Sequence, residues 1–161
     1  MKKALVMALA LTALAAPIAQ ADEMLQVETV VTFDGKVSET FNHSVESGKS
    51  FKIPYTKSTE WVSGISKGVV RKESREVGFS ASIGPRVHKD GTVSVSAHVE
   101  YATVTGTKPF MVDGTDYPQP VFWSVKSAPT PRKGTLGEPI ELWKSNHRGH
   151  EVNVVVTVTN H

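Results

Sequence analysis

The chain contains no cysteine. That absence excludes a disulfide framework, a thiol nucleophile, iron–sulfur or cysteine-zinc chemistry and an acyl-cysteine lipid anchor. It also lacks a phosphate-binding loop, a dinucleotide fingerprint and a paired-carboxylate signature. An excess of one charge is missing too. The 161 residues carry 18 Lys+Arg and 16 Asp+Glu, and two of the basic residues, Lys2 and Lys3, precede every acidic one. From Asp22 onward the two signs balance, which excludes a strongly basic nucleic-acid binder and an acidic disordered tail. Long apolar runs are confined to the N-terminus, so no later segment reaches the roughly 18 residues of a transmembrane helix. No stretch after residue 21 combines helical periodicity with a cap, and no internal repeat is visible.

What is present begins with a leader. Lys2 and Lys3 form a positive n-region, Ala4 to Ala16 is apolar or small apart from Thr12, and Pro17 precedes the small-x-small triplet Ala19-Gln20-Ala21. This is the secretory signal pattern, with cleavage expected after Ala21. The remainder, 22–161, is expected to be one exported all-β domain, with the bacterial periplasm as its first location and the medium or the periphery of the outer membrane as alternatives.

Period-two alternation dominates that remainder. Leu25, Val27, Val31 and Phe33 alternate with polar residues, and Val152, Val154, Val156 and Val158 do so at the other end. Between them the register of one long hairpin follows from parity. Apolar residues occupy odd positions on both Phe79–Val87 and Thr92–Tyr101. A three-residue loop, Lys89-Asp90-Gly91, keeps odd opposite odd, pairs Val87 with Val93 and Phe79 with Tyr101, and leaves Gly91 left-handed. The same reasoning gives a loop Phe33-Asp34-Gly35, with Val31 opposite Val37 and Val27 opposite Phe41. Gly64 and Gly68, within the β-like stretch from Trp61 to Val70, suggest a bulge or a close backbone approach. Residues 105–139, rich in proline and glycine, read as irregular apart from a short strand at Val121–Val125. The expected fold is an antiparallel β-sandwich or open barrel of roughly 7–9 strands.

Candidate chemistry is sparse. Gly64-Ile65-Ser66-Lys67-Gly68 matches a G-x-S-x-G nucleophile elbow, with Asp113 or Asp116 and His147 in the chain order of a hydrolase triad. Such an elbow needs a strand-to-helix turn, and the β-branched Val69-Val70 that follows does not start a helix. His147 and His150, beside Glu151, are the candidate metal ligands, although His147-Arg148-Gly149-His150 also reads as a turn. His88 and His98 share the polar face of the long hairpin, opposite Thr92 and Ser82, too far apart for a common ion. Lys67, Arg71, Lys72 and Arg75 form a basic cluster interrupted by Glu73 and Glu76, a solvated strand face or a patch for an anionic polymer or lipid head groups. Trp61, Trp123 and Trp143 are either core residues or an interaction surface for sugar or peptide. No catalytic residue and no cofactor is assigned.

Val77-Gly78-Phe79, Pro85-Arg86-Val87 and Asp90-Gly91-Thr92-Val93 with Val95 and Glu100, closed by Val154-Val155-Val156-Thr157-Val158-Thr159, resemble a hairpin and the last strand of the secretin domain. Secretins are ring-forming outer-membrane channels of secretion and type IV pilus systems. The resemblance covers about residues 76–104 and the final strand. The chain departs from the family in lacking its Pro-Leu-Gly-rich gate motif and room for periplasmic ring domains. The resemblance therefore implies an accessory or structural component of an envelope assembly, with an envelope protein as partner. Two other readings stand beside it. One is an exported ligand-binding module using the tryptophans or His147 and His150; the other is a small serine hydrolase built on Ser66.

Overall fold

A computed structural model describes residues 23–129 and 131–161; the proposed leader and its cleavage point after Ala21 lie outside them. Twelve strands follow one another: β1 (Met24–Phe33), β2 (Lys36–Glu46), β3 (Phe51–Ile53), β4 (Lys57–Ser66), β5 (Val69–Val87), β6 (Thr92–Lys108), β7 (Met111–Val112), β8 (Thr115–Asp116), β9 (Gln119–Lys126), β10 (Arg132–Thr135), β11 (Pro139–His147) and β12 (His150–Asn160). The described residues contain no helix. The count exceeds the expected 7–9 because β3, β7, β8 and β10 are pieces of two to four residues.

The architecture is a sandwich, and no barrel closes. One sheet has the order β11-β12-β1-β2; the other has β10-β6-β5-β3, with β4 added on β5 and β9 on β6. All the pairings are antiparallel. The inward odd residues of β1 and even residues of β12 (Leu25, Val27, Val31, Val152, Val154, Val156, Val158) meet Phe79, Ile83, Val93, Val95 and Val99 in one core. Burying so many branched side chains, each contributing on the order of 1.5–3 kcal/mol, is what holds a chain without cross-links.

The β5–β6 hairpin has the register that parity dictates. Val87 pairs with Val93, Ile83 with Ala97 and Phe79 with Tyr101, and Gly91 is left-handed at φ 80°. The first hairpin differs. Asp34 (φ 48°) and Gly35 (φ 76°) form a two-residue turn of the doubly left-handed kind, whose twist suits a hairpin. Phe33 therefore pairs with Lys36 and Thr32 with Val37, which leaves Val37 66% exposed. A bulge after this point restores odd against odd, with Val31 opposite Glu39, Thr29 opposite Phe41 and Val27 opposite His43. Parity was the right constraint, but a bulge satisfies it as well as a longer loop does. Lys67-Gly68, Asp113-Gly114 and Arg148-Gly149 make the same kind of turn.

Residues 105–139 are far less irregular than their prolines suggest. They carry the end of β6, the β7–β8 hairpin, β9 and β10. Proline is accommodated because Pro109, Pro118, Pro129 and Pro131 fall between strands, while Pro120 lies on β9, which pairs only with β6. An edge strand has N–H groups to spare.

Candidate functional site

β3 and β4 are one strand interrupted. Phe51 to Ile53 pair with Ile83 to Ala81, and Lys57 to Val62 pair with Val77 to Lys72 in the same register. The interruption is at Pro54-Tyr55-Thr56, where proline has no N–H to offer. Glu39 of the opposite sheet fills the gap. One of its carboxylate oxygens accepts the Phe79 N–H at 3.1 Å and the other accepts the Thr56 hydroxyl at 3.0 Å. Further along the same edge, Gly48 donates to the Pro85 carbonyl at 2.7 Å and Val87 donates to the Ser47 hydroxyl at 3.0 Å.

Gly78 marks a fork. Its φ of 102° suits glycine, and a Cβ there would stand 3.0 Å from Glu39 Oε1. The pairing of β5 with β6 stops at Gly78–Ala102. Beyond it, β5 pairs only with β4 and β6 only with β9, so two ribbons diverge. Trp61 on β4 meets Phe122 on β9 at 5.2 Å, and Arg75 lies 4.7 Å over the same ring while donating to the Ser124 hydroxyl at 3.3 Å. Gln119 donates to the Val62 carbonyl. Residues 69–76 are exposed throughout, and the side of β5 turned away from β4 carries no strand along them. Val69 and Val70 stand out there as exposed apolar residues.

The second feature is the outer face of the β5–β6 hairpin. The register sets Ser80 beside Glu100, Ser82 beside His98, Gly84 beside Ser96 and Arg86 beside Ser94. Three clefts of about 250, 190 and 400 Å³ run along this face and share lining residues, Ser82 and His98 between the first two, and Ser50, Gly84 and Ser96 between the last two. At one end Glu100 gathers Lys126 at 2.9 Å, the Tyr55 hydroxyl at 2.9 Å and His98 at 3.5 Å. The hydrogen bond from Lys126, with that from Tyr55, holds the Glu100 carboxyl below its ordinary value. Burial, reinforced by the bond to Glu100, pushes the Tyr55 phenol up to about 12. The other end is cationic, with Lys49, Arg86 and His88 among the lining residues and no carboxylate.

The residues singled out from sequence are scattered. Trp123 is only 5% exposed; it sits in the core and donates to the His147 carbonyl at 2.8 Å. Trp143 packs against the core beside a bulge in β11, and Trp61 is half-buried between the ribbons. The three indoles thus form no common surface. His147 and His150 face each other across the Arg148-Gly149 turn. The His150 ring shares a 2.8 Å contact with the Asp34 carboxylate and stacks on Phe33 at 5.3 Å, so it is taken up in packing. Among the described residues no three potential metal ligands converge. Ser66 ends β4 and pairs with Val69 across the Lys67-Gly68 turn. It lies on a strand-to-strand turn, not on the strand-to-helix turn that an elbow requires, and this corrects the hydrolase reading. Gly64 does mark a bulge. Arg71 and Lys72 lie on the exposed part of β5, while Arg75 is engaged with Phe122. The serine face was overlooked as a site, although its signal is plain in the sequence: even positions 80, 82, 94 and 96 are all serine.

No family model matches the chain, and no curated protein matches it. Among solved structures the chain is similar to the Salmonella SPI-1 type III secretion injectisome secretin InvG, in a near-atomic cryo-EM structure, at 11% identity and a TM-score of 0.45, covering 86% of this chain and 62% of that one. It is also similar to the InvG secretin-domain β-barrel at 10% identity and a TM-score of 0.43, covering 86% and 59%. A third match lies in an atomic model of the basal-body proteins InvG, PrgH and PrgK, at 11% identity and a TM-score of 0.45, covering 86% and 44%. The chain thus spans less than two thirds of the length of each. The resemblance to the secretin domain seen in the sequence has a counterpart in these structures, one that is weak and partial.

Proposed function

We propose that this protein is an exported, non-catalytic β protein of the bacterial cell envelope, soluble or peripheral, that works by strand-mediated contact with an envelope protein partner. The observation that carries the reading is the open side of β5 along 69–76, exposed throughout and paired on β4 alone. A strand edge with free N–H and C=O groups is a template for another strand, and a protein has reason to cover or blunt it unless it is used. Val69 and Val70 offer apolar side chains to such a neighbour, and Arg71, Lys72 and Glu73 offer charges that set register and partner. The leader pattern supports export.

The test places a photo-crosslinking residue at Val70 of the full chain in living bacteria, with Glu28, exposed on the doubly paired β1, as control position. The expected result is a discrete adduct with an envelope protein from Val70 and none from Glu28, and the Val70 yield falls when Arg71 or Lys72 is replaced by proline. Equal labelling from both positions, or an adduct indifferent to both prolines, overturns the reading.

A further inference from the structure

We propose that the cationic end of the serine-lined face is a binding site for a phosphate ester of a polyol or sugar. The cleft of about 400 Å³ is lined by Lys49, Arg86 and His88 together with the hydroxyl residues Ser50, Ser94 and Ser96. It has no carboxylate in its wall, and Arg86 makes no ion pair with a described residue. By contrast, the basic cluster on β5 is interleaved with glutamates, and Lys126 and Lys144 each have an acidic partner.

The loop that carries two of the donors is also held in place. The loop carrying Lys49 and Ser50 is docked on β5 by the bonds from Gly48 to Pro85 and from Val87 to Ser47, at 2.7 and 3.0 Å. The Arg86 guanidinium lies over Gly48, with Nε 3.5 Å and Nη2 3.6 Å from where a Cβ would stand, and the glycine itself is left-handed at φ 84°. The His88 ring shares a 2.9 Å hydrogen bond with the Ser94 hydroxyl, which orients both toward the same space.

Chemistry selects the ligand. A carboxylate is satisfied by one guanidinium fork, whereas a phosphate carries close to two charges and three terminal oxygens pointing in different directions. Donors arriving from the loop and from two strands match the second. The volume selects an ester over a bare ion, since the cleft continues through Gly84 and Ser96 into the neighbouring one of about 190 Å³, lined by Ser82 and His98. Gly84 lines both clefts, and a Cβ there would stand 3.4 Å from the Ser50 side chain. Hydroxyls and an imidazole along it suit the hydroxyl groups of a polyol. A phosphorylated lipid head group and a soluble sugar phosphate share this chemistry. The site is independent of the strand-pairing surface and stands or falls separately from it.

The test titrates the protein, purified from cells expressing the full chain, with glycerol phosphate and with inorganic phosphate, by calorimetry or amide chemical shifts. Glycerol phosphate is expected to bind more tightly than inorganic phosphate, to perturb Arg86, Ser94 and Ser96, and to weaken at least tenfold in Arg86→Gln. Lys108→Gln, a charge change at the far end of β6, should leave affinity unchanged. A second arm uses vesicles containing phosphatidic acid, a phosphate monoester, against vesicles of phosphatidylcholine alone. Arg86-dependent sedimentation with the former identifies a lipid source, and glycerol phosphate binding without sedimentation identifies a soluble one. Equal affinity for inorganic phosphate and its ester, equal loss in Arg86→Gln and Lys108→Gln, or no binding of glycerol phosphate overturns the proposal.

Discussion

Glu39 on β2 accepts the backbone N–H of Phe79 on β5 at 3.1 Å, so a side chain of one sheet occupies the place of a missing strand in the other. Phe79 is the largest fully buried side chain of the core, and its amide would otherwise be stranded where Pro54-Tyr55-Thr56 interrupts the edge. Leaving a buried donor unpaired costs about 1–3 kcal/mol. Glu39→Ala is expected to lower stability by about that amount, whereas Glu39→Gln, which keeps an acceptor oxygen, should lose markedly less. Urea unfolding of the three proteins checks this, and equal losses would show that the bond contributes nothing specific.

Thr29 is buried on β1 between Val27 and Val31, and its hydroxyl has no hydrogen-bond partner among the described residues. Valine has nearly the same shape and no polar atom to desolvate. Thr29→Val should therefore raise stability by about 1 kcal/mol, the scale of an unsatisfied hydroxyl. A lower unfolding midpoint would mean that the hydroxyl is satisfied in solution.

Gly134 on β10 lies against Ile140 on β11, and a Cβ added to it would come within 2.6 Å of Ile140 Cγ1. Its backbone has no left-handed strain, so only space is at issue. Overpacking of this kind costs about 1–3 kcal/mol. Gly134→Ala should be destabilising in the natural chain and much less so in an Ile140→Ala background. A double-mutant cycle with no coupling would refute the contact.

Asp34 ties the first hairpin to the last strand, accepting the Glu151 N–H at 2.9 Å and facing the His150 ring at 2.8 Å. The bond from the Glu151 backbone, followed by that from His150, holds its carboxyl below the ordinary 3.8. A depressed folded-state value means stability that is fully present above the unfolded value and is lost as the pH falls through the folded one. The natural protein should lose stability on acidification below about pH 3.8, and Asp34→Asn should flatten that part of the profile. Thermal unfolding from pH 2 to 6 reads the difference, and parallel profiles would remove Asp34 from the account.

The ribbons touch through Trp61 and Phe122, with Arg75 over the latter ring. Phe122→Ala should shift indole emission to longer wavelength, because Trp61 loses its cover while Trp123 stays in the core. The unfolding free energy should fall by less than about 1 kcal/mol, since a half-buried ring outside the core stabilises little. Unchanged emission would mean that the ribbons do not dock in solution.

The sequence alone determined the all-β class and the pairing of the long hairpin. Side-chain direction in a strand has period two, and odd apolar positions on both arms admit only a loop that keeps odd opposite odd. It located the turns at Asp90-Gly91 and Arg148-Gly149 by residue chemistry, but not those at Lys67-Gly68 and Asp113-Gly114, which lie inside a β-like stretch and a proline-rich one. It did not determine the route around Asp34, because a bulge and a longer loop satisfy the same parity. It did not distinguish the core Trp123 from the half-buried Trp61 either, since what covers each indole comes from elsewhere in the chain. Tertiary structure decided what depends on residues far apart. Glu39 reads as a surface carboxylate until Phe79 is set beside it, and Arg86 reads as one more strand cation until the Gly48 loop brings Lys49 and Ser50 to its side. The fork at Gly78 belongs to the same class: a positive φ is permitted by the residue type, but it is imposed by the strands that leave there in two directions.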